Sequence, residues 1–157
     1  MTYDDDWLTR FSPDEWIRAA LGELSQARNA YARRNGRAGL AGCRRAAGVA
    51  LNGLIASLAP AQRPAWGRSY MEHLSALAAD PESPPAVREA ARQLLETPLP
   101  GGAVVALRTP RSDEALVDAA ETVMAHSLAA VLRAEVDSSL TAAEGGSPSG
   151  PREAPDD

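Results

Sequence analysis

Apolar residues recur along this chain every three or four positions and almost never in strict alternation. That is the period of helices with one buried side, not of half-buried strands. Ser12-Pro13-Asp14-Glu15 opens the first such segment. Ser12 can cap, Pro13 suits the first helical position, and Glu15 sits where a capping box needs a carboxylate. Trp16, Ala20, Leu24, Ala27 and Tyr31 then fall on one side, and Asn35-Gly36 is expected to end the helix with glycine in the left-handed position. The spacing Leu40, Cys43, Ala47, Leu51, Leu54 and Leu58 predicts a second helix from Arg37 to Leu58.

Pro60 and Pro64 break the pattern. A third helix is predicted from Trp66 to Ala79, with Trp66, Tyr70, Leu74 and Leu77 inward. Ser83 before Pro84 reads as the cap of a fourth, which carries Val87, Ala91, Leu94 and Leu95 and stops at Pro98, Pro100, Gly101 and Gly102. Ala103 to Leu107 is the one strand-like run, and a lone strand has no partner, so it is expected as an extended connector on the bundle. Ser112 caps a fifth helix from Asp113 to Val136, with Leu116, Ala120, Val123, Ser127 and Val131 as its inner stripe. From Ser138 onward the chain offers almost nothing to bury.

The expected architecture is therefore all-α: a five-helix, mostly up-and-down bundle over residues 12–136. An acidic N-terminal arm, 1–11, precedes it, and a disordered C-terminal tail, 137–157, follows. Trp16, Leu24, Cys43, Ala47, Leu51, Leu54, Leu74, Leu94, Leu116 and Val123 are the expected core.

Composition agrees. The chain is rich in Ala and Leu and sparse in Val and Ile, and aromatics make up 4%. At 157 residues, 45% hydrophobic and 24% charged, it is one globular domain rather than a disordered chain. All sixteen cationic residues are Arg. A net charge of −5 argues against a general nucleic-acid coat, which would be basic. One cysteine excludes a disulfide framework and a Cys-cluster zinc site. Phosphate loops, metal-ligand spacings and nucleophile elbows are missing, so neither cofactor nor metal is expected. Asp4, Asp5 and Asp6 are unlike a signal peptide and no run of 18 apolar residues is seen, so the expectation is a cytoplasmic protein with no membrane contact.

Four features are candidates for more than packing. Gly39, Gly42, Ala46, Ala50 and Gly53 form a small-residue stripe on the second helix. Glycine inside a helix costs about 1 kcal/mol relative to alanine, so the stripe points to a second backbone close by, from a neighbouring helix or another subunit. Arg28, Arg33, Arg34, Arg37, Arg44 and Arg45 bracket the first helix–helix turn and form a candidate phosphate or RNA surface, against the plainer reading of a solvated face. Arg68 and His73 form an Arg–x4–His string. On one helix they would point about 140° apart unless Arg68 precedes it, and His73 flanks the apolar stripe as a semi-buried histidine would. Cys43 lies mid-stripe and reads as a buried small hydrophobe, and His126 as an exposed histidine.

Over residues 7–136 the pattern resembles the HEPN-like domains, small all-helical nucleotide- or RNA-associated modules. Trp16 to Ala27 and Cys43 to Asn52 carry the likeness, with Ala46, Ala47, Ala50 and Leu51 matching the second-helix motif and Arg45, Gly48, Val49 and Asn52 departing from it. His73-Leu74 resembles the start of the third helix of such domains, and the helix from Asp113 fits in place and length. The resemblance implies one of two activities. Silent members act as partner-binding or nucleotide-binding modules, often beside a nucleotidyltransferase, which implies a protein partner such as a nucleotidyltransferase or a defence or signalling component. Active members are metal-independent ribonucleases, toxin-like, with an Arg-x4–6-His motif late in the chain, whereas Arg68 and His73 stand early. The leading expectation is a non-catalytic interaction module that dimerises through the Gly39–Gly53 stripe. The alternative is a ribonuclease in which Arg68 holds the phosphate, His73 moves the proton and the arginine cluster steers RNA.

Overall fold

The computed structural model describes residues 5–100 and 110–146. The stretch from Ala103 to Leu107 and the chain beyond residue 146 lie outside the described residues. Five α-helices follow a short 3-10 helix, Asp5–Arg10: α1 Pro13–Ala32, α2 Gly36–Ser57, α3 Tyr70–Ala79, α4 Pro85–Glu96 and α5 Pro110–Glu144. No strand occurs among the described residues. The all-α bundle expected from the periodicity is what the chain forms, and all ten expected core residues are buried.

α2 is the central helix, in contact with α1, α3, α4 and α5. Its small-residue stripe explains how so many neighbours fit. A Cβ added at Gly42 would lie 2.8 Å from the Ala27 Cβ, and one at Gly53 would lie 3.1 Å from the Pro13 carbonyl oxygen. Tyr31 covers Gly39 in the same way. The close backbone is therefore the chain's own α1. Gly39, Gly42, Ala46, Ala50 and Gly53 are all buried there, so the stripe is not a face left open for another subunit.

Local chemistry fixes the helix ends. Ser12 Oγ accepts from the Glu15 N–H at 3.2 Å, with Pro13 in the first turn, as the sequence implies. The α1–α2 turn differs from expectation. Arg34, at φ 60°, takes the left-handed position, while Gly36 opens α2 behind an Asn35 cap whose Oδ1 accepts from the Ala38 N–H. α3 starts at Tyr70, four residues later than predicted. Ser69 and Glu72 form a capping box there, the Glu72 N–H donating to Ser69 Oγ at 3.1 Å and the Ser69 N–H to Glu72 Oε2 at 2.9 Å. Ser83 does not cap α4: Pro84 holds that position, and the Ser83 hydroxyl donates to Asp80 Oδ2.

Both ends of the expected domain also move. Within the expected arm, Leu8 is 2% exposed and its carbonyl accepts from the Trp16 indole N–H at 3.0 Å. The segment is thus part of the bundle. At the other end α5 runs eight residues past Val136 and begins ahead of Ser112. Its continuation buries almost nothing, which is why apolar periodicity did not reveal it. Asp137, Ser138, Ser139 and Thr141 are weak helix formers, and within this extension the Ser139 and Thr141 hydroxyls donate back to the carbonyls of Glu135 and Asp137.

Candidate functional site

The sequence's catalytic pair sits at one end of the bundle, but the two residues have opposite surroundings. Arg68 is exposed on the loop before α3. His73 is completely buried. Its Nδ1 is 2.9 Å from the Trp66 carbonyl oxygen and its Nε2 is 2.7 Å from Asn52 Oδ1. The carbonyl only accepts, so Nδ1 donates. Asn52 can accept an Nε2 proton, or donate from its NH2 to a bare Nε2 after a half-turn of the amide. Trp7 stacks over the ring, centroids 6.1 Å apart and planes 23° from parallel. With both nitrogens engaged and one face covered, His73 has no opening through which to exchange a proton with a substrate. It ties the loop at Trp66 to α2 at Asn52. Of the expected catalytic pair, the structure thus places Arg68 at the surface and His73 sealed inside the bundle.

Burial holds the His73 pKa below the ordinary histidine value, outweighing the Trp66 hydrogen bond and the Glu72 charge, which act the other way. His126 is lowered too, by burial first and then by Arg133. A folded-state pKa below the unfolded value means that the unfolded chain binds the proton more readily. The stability contribution is complete above about pH 6.5 and is lost as pH falls through the folded-state value. The melting temperature is expected to drop between about pH 7 and about pH 5, above the usual carboxylate range. His73→Gln is expected to flatten that dependence more than His126→Gln does, as thermal melts across the range would show.

The arginine cluster is taken apart by the fold. Arg44 points at the end of α4, donating from Nε to the Leu94 carbonyl at 2.7 Å and from one terminal nitrogen to the carbonyls of Leu95 at 3.2 Å and Thr97 at 2.8 Å. Arg45 pairs with Glu23 at 2.8 Å, and Arg28 with Glu121. Arg33, Arg34 and Arg37 stay exposed at the turn. Arg28, Arg44 and Arg45 are therefore engaged by internal partners, and the six do not form one basic face.

Cys43 is fully buried, and burial pushes its thiol up to about 11. The thiolate is the reactive form, so the native protein is expected to resist a disulfide reagent at about pH 8 and to react once unfolded. Rapid modification of the native protein would contradict the packing described. Among the described residues no group of three His, Cys, Asp or Glu side chains is placed to hold a metal ion.

Beside His73 lies a cleft of about 670 Å³, walled by Trp7, Trp66, Arg63, Arg68, Glu72 and Ser75 among others. Sequence reading missed this grouping because it placed Trp66 inside α3 and Trp7 in a free arm. The available signal was Asn52, a lone amide among the apolar residues of α2 that needed a buried polar partner. The chain matches no protein-family model, no curated protein and no solved structure.

Proposed function

We propose that the chain is a non-catalytic helical interaction module that docks through the outward side of α5. The observation that carries this reading is a row of exposed apolar side chains on that helix: Leu128 at 38%, Leu132 at 48%, Val136 at 58% and Leu140 at 60%. Single exposed leucines are ordinary, but four in line form a patch of the kind that marks interaction sites. Steps of four residues advance the direction by about 40° each, so the row sweeps across one side of the helix, with Ala134 on the reverse. Ala134 is half-buried against the bundle, so the row faces away from it.

A neighbour on α1 extends the patch. The Arg28–Glu121 pair and the groove shared by Pro13 and Glu135 set α1 antiparallel to α5. Leu21, 55% exposed, then stands level with Leu128. By length and composition α5 is also apolar enough to cross a membrane, although 39% of its most apolar stretch is buried inside the bundle.

The occupant we favour is a second copy. In an antiparallel pair Leu128 meets the copy's Leu140, and Leu132 meets its Val136, with the two bundles on opposite sides of the paired helices. A helical segment with so little packing of its own is marginal in water, and pairing supplies what it lacks. The resemblance to HEPN-like domains implies partner binding for silent members, and the same face would serve a protein partner such as a nucleotidyltransferase.

Light scattering at about 100 μM, well above the dissociation constant of a micromolar dimer, is expected to give the dimer mass for the wild type and the monomer mass for Leu132→Glu/Val136→Glu. A monomeric wild type overturns self-association, and sedimentation with lipid vesicles in its place assigns the face to a membrane. RNA incubated with the protein in EDTA is expected to stay intact; cleavage would overturn the non-catalytic reading.

A further inference from the structure

We propose that residues 135–144, the closing segment of α5, turn from coil to helix as two copies pair, so that folding this segment and joining the chains are one event. The inference rests on self-association through α5. Val131 is the last fully buried side chain of that helix and Ala134 the last half-buried one. Every residue from 135 to 144 is exposed. No contact with the bundle therefore holds the segment, and in a lone copy its helix stands on local terms alone.

Those terms are unfavourable. The packed part of α5 supplies the nucleus, so each further residue extends the helix by its own propensity. Val136, Asp137, Ser138, Ser139 and Thr141 extend it weakly. The Ser139 and Thr141 hydroxyls donate back to the Glu135 and Asp137 carbonyls at 3.0 and 2.9 Å, bonds that slightly weaken a helix. The last turn carries Glu144 and no basic residue, the wrong sign of charge for the negative end of the helix dipole.

Pairing reverses the balance. In the antiparallel arrangement Val136 and Leu140 meet the copy's Leu132 and Leu128. Only helical spacing brings Val136 and Leu140 onto the side that Leu132 already occupies. Leu128 and Leu132 belong to the part of α5 that is packed on its own bundle, where Ser127 and Val131 are fully buried. The firm half of each helix is thus the template for the fraying half of the other.

Hydrogen exchange read by mass spectrometry, with light scattering on the same samples, tests this. Wild-type amides of 137–144 are expected to exchange at least about fivefold more slowly at about 100 μM than at about 0.1 μM. Leu128→Glu/Leu132→Glu leaves the segment's own residues intact; it is expected to be monomeric and to exchange there at coil rates at both concentrations. Protected α2 amides show that the variant is folded; if it does not fold, the wild-type dilution series decides. Ser138 and Thr141 face the grooves between α5 and the bundle, so changing them adds no contact to the copy. Ser138→Ala/Thr141→Ala is nonetheless expected to tighten the dimer at least about fivefold, because the segment is helical more of the time before pairing. A dimer whose segment is protected to the same degree in wild type and monomeric variant, or whose affinity Ser138→Ala/Thr141→Ala leaves unchanged, overturns coupled folding and leaves self-association standing. A wild type that is monomeric throughout overturns self-association and this inference with it.

Discussion

Gly48→Ala is expected to destabilise the bundle by about 3 kcal/mol, at the upper end of ordinary overpacking. A Cβ at this position would lie 2.7 Å from the Tyr70 Cα and closer still to the Tyr70 Cβ. The obstacle is backbone, not the flexible end of a side chain. Relief requires α3 to move at its first residue, where the Ser69–Glu72 capping box anchors it. The gain of up to about 1 kcal/mol from replacing a helical glycine with alanine is too small to offset this. Gly22→Ala is the matched control. Nothing lies within 4 Å of a Cβ at Gly22, so there the propensity gain stands alone and stability is expected to rise by about 0.5–1 kcal/mol. Urea denaturation of the two variants measures both, and effects of the same sign would show that α2 and α3 do not approach as described.

Arg44→Ala is expected to cost about 2–4 kcal/mol, although the side chain reads from sequence as one cation in a surface cluster. Its guanidinium meets three carbonyls at the end of α4, where the last turn has no intrahelical donors. Truncation strands those oxygens in a half-buried seam and removes the packed stem of the side chain. Arg44→Lys is expected to recover little, since one ammonium cannot span the three acceptors. Denaturant midpoints for both variants, with Arg33→Ala as an exposed reference, decide the matter. Equal effects at Arg44 and Arg33 would return Arg44 to the solvated surface.

Helix number and the buried faces were readable because helical periodicity is a local property of the sequence. Leu51, Leu74, Leu94 and Val123 could be assigned to the core without knowing which helix met which. Neighbours were harder to read. The small-residue stripe of α2 announced a close backbone but could not say whose, and α1 answers to it. The arginines from 28 to 45 looked like a patch in one dimension. In three dimensions Glu23, Glu121 and the end of α4 divide them. His73 was singled out as a residue with a role, but its chemistry depends on Asn52, twenty-one positions away, and on Trp7, sixty-six positions away. The outward row on α5 was hidden by a different logic: a helix that buries little carries no inward stripe to reveal its length.

The chain's three tryptophans all stand at one end of the molecule. Trp7 lies edge-on to Trp16 at 6.4 Å, and Trp66 shares the cleft wall with Trp7. Indoles this close exchange excitation energy, so the protein's ultraviolet emission is the readout of a single locality. Events at the His73 end will change its colour and intensity. The outer half of α5 reaches the same end, sharing grooves with Pro13 and with residues 57–62, so emission is expected to respond to pairing along that helix as well.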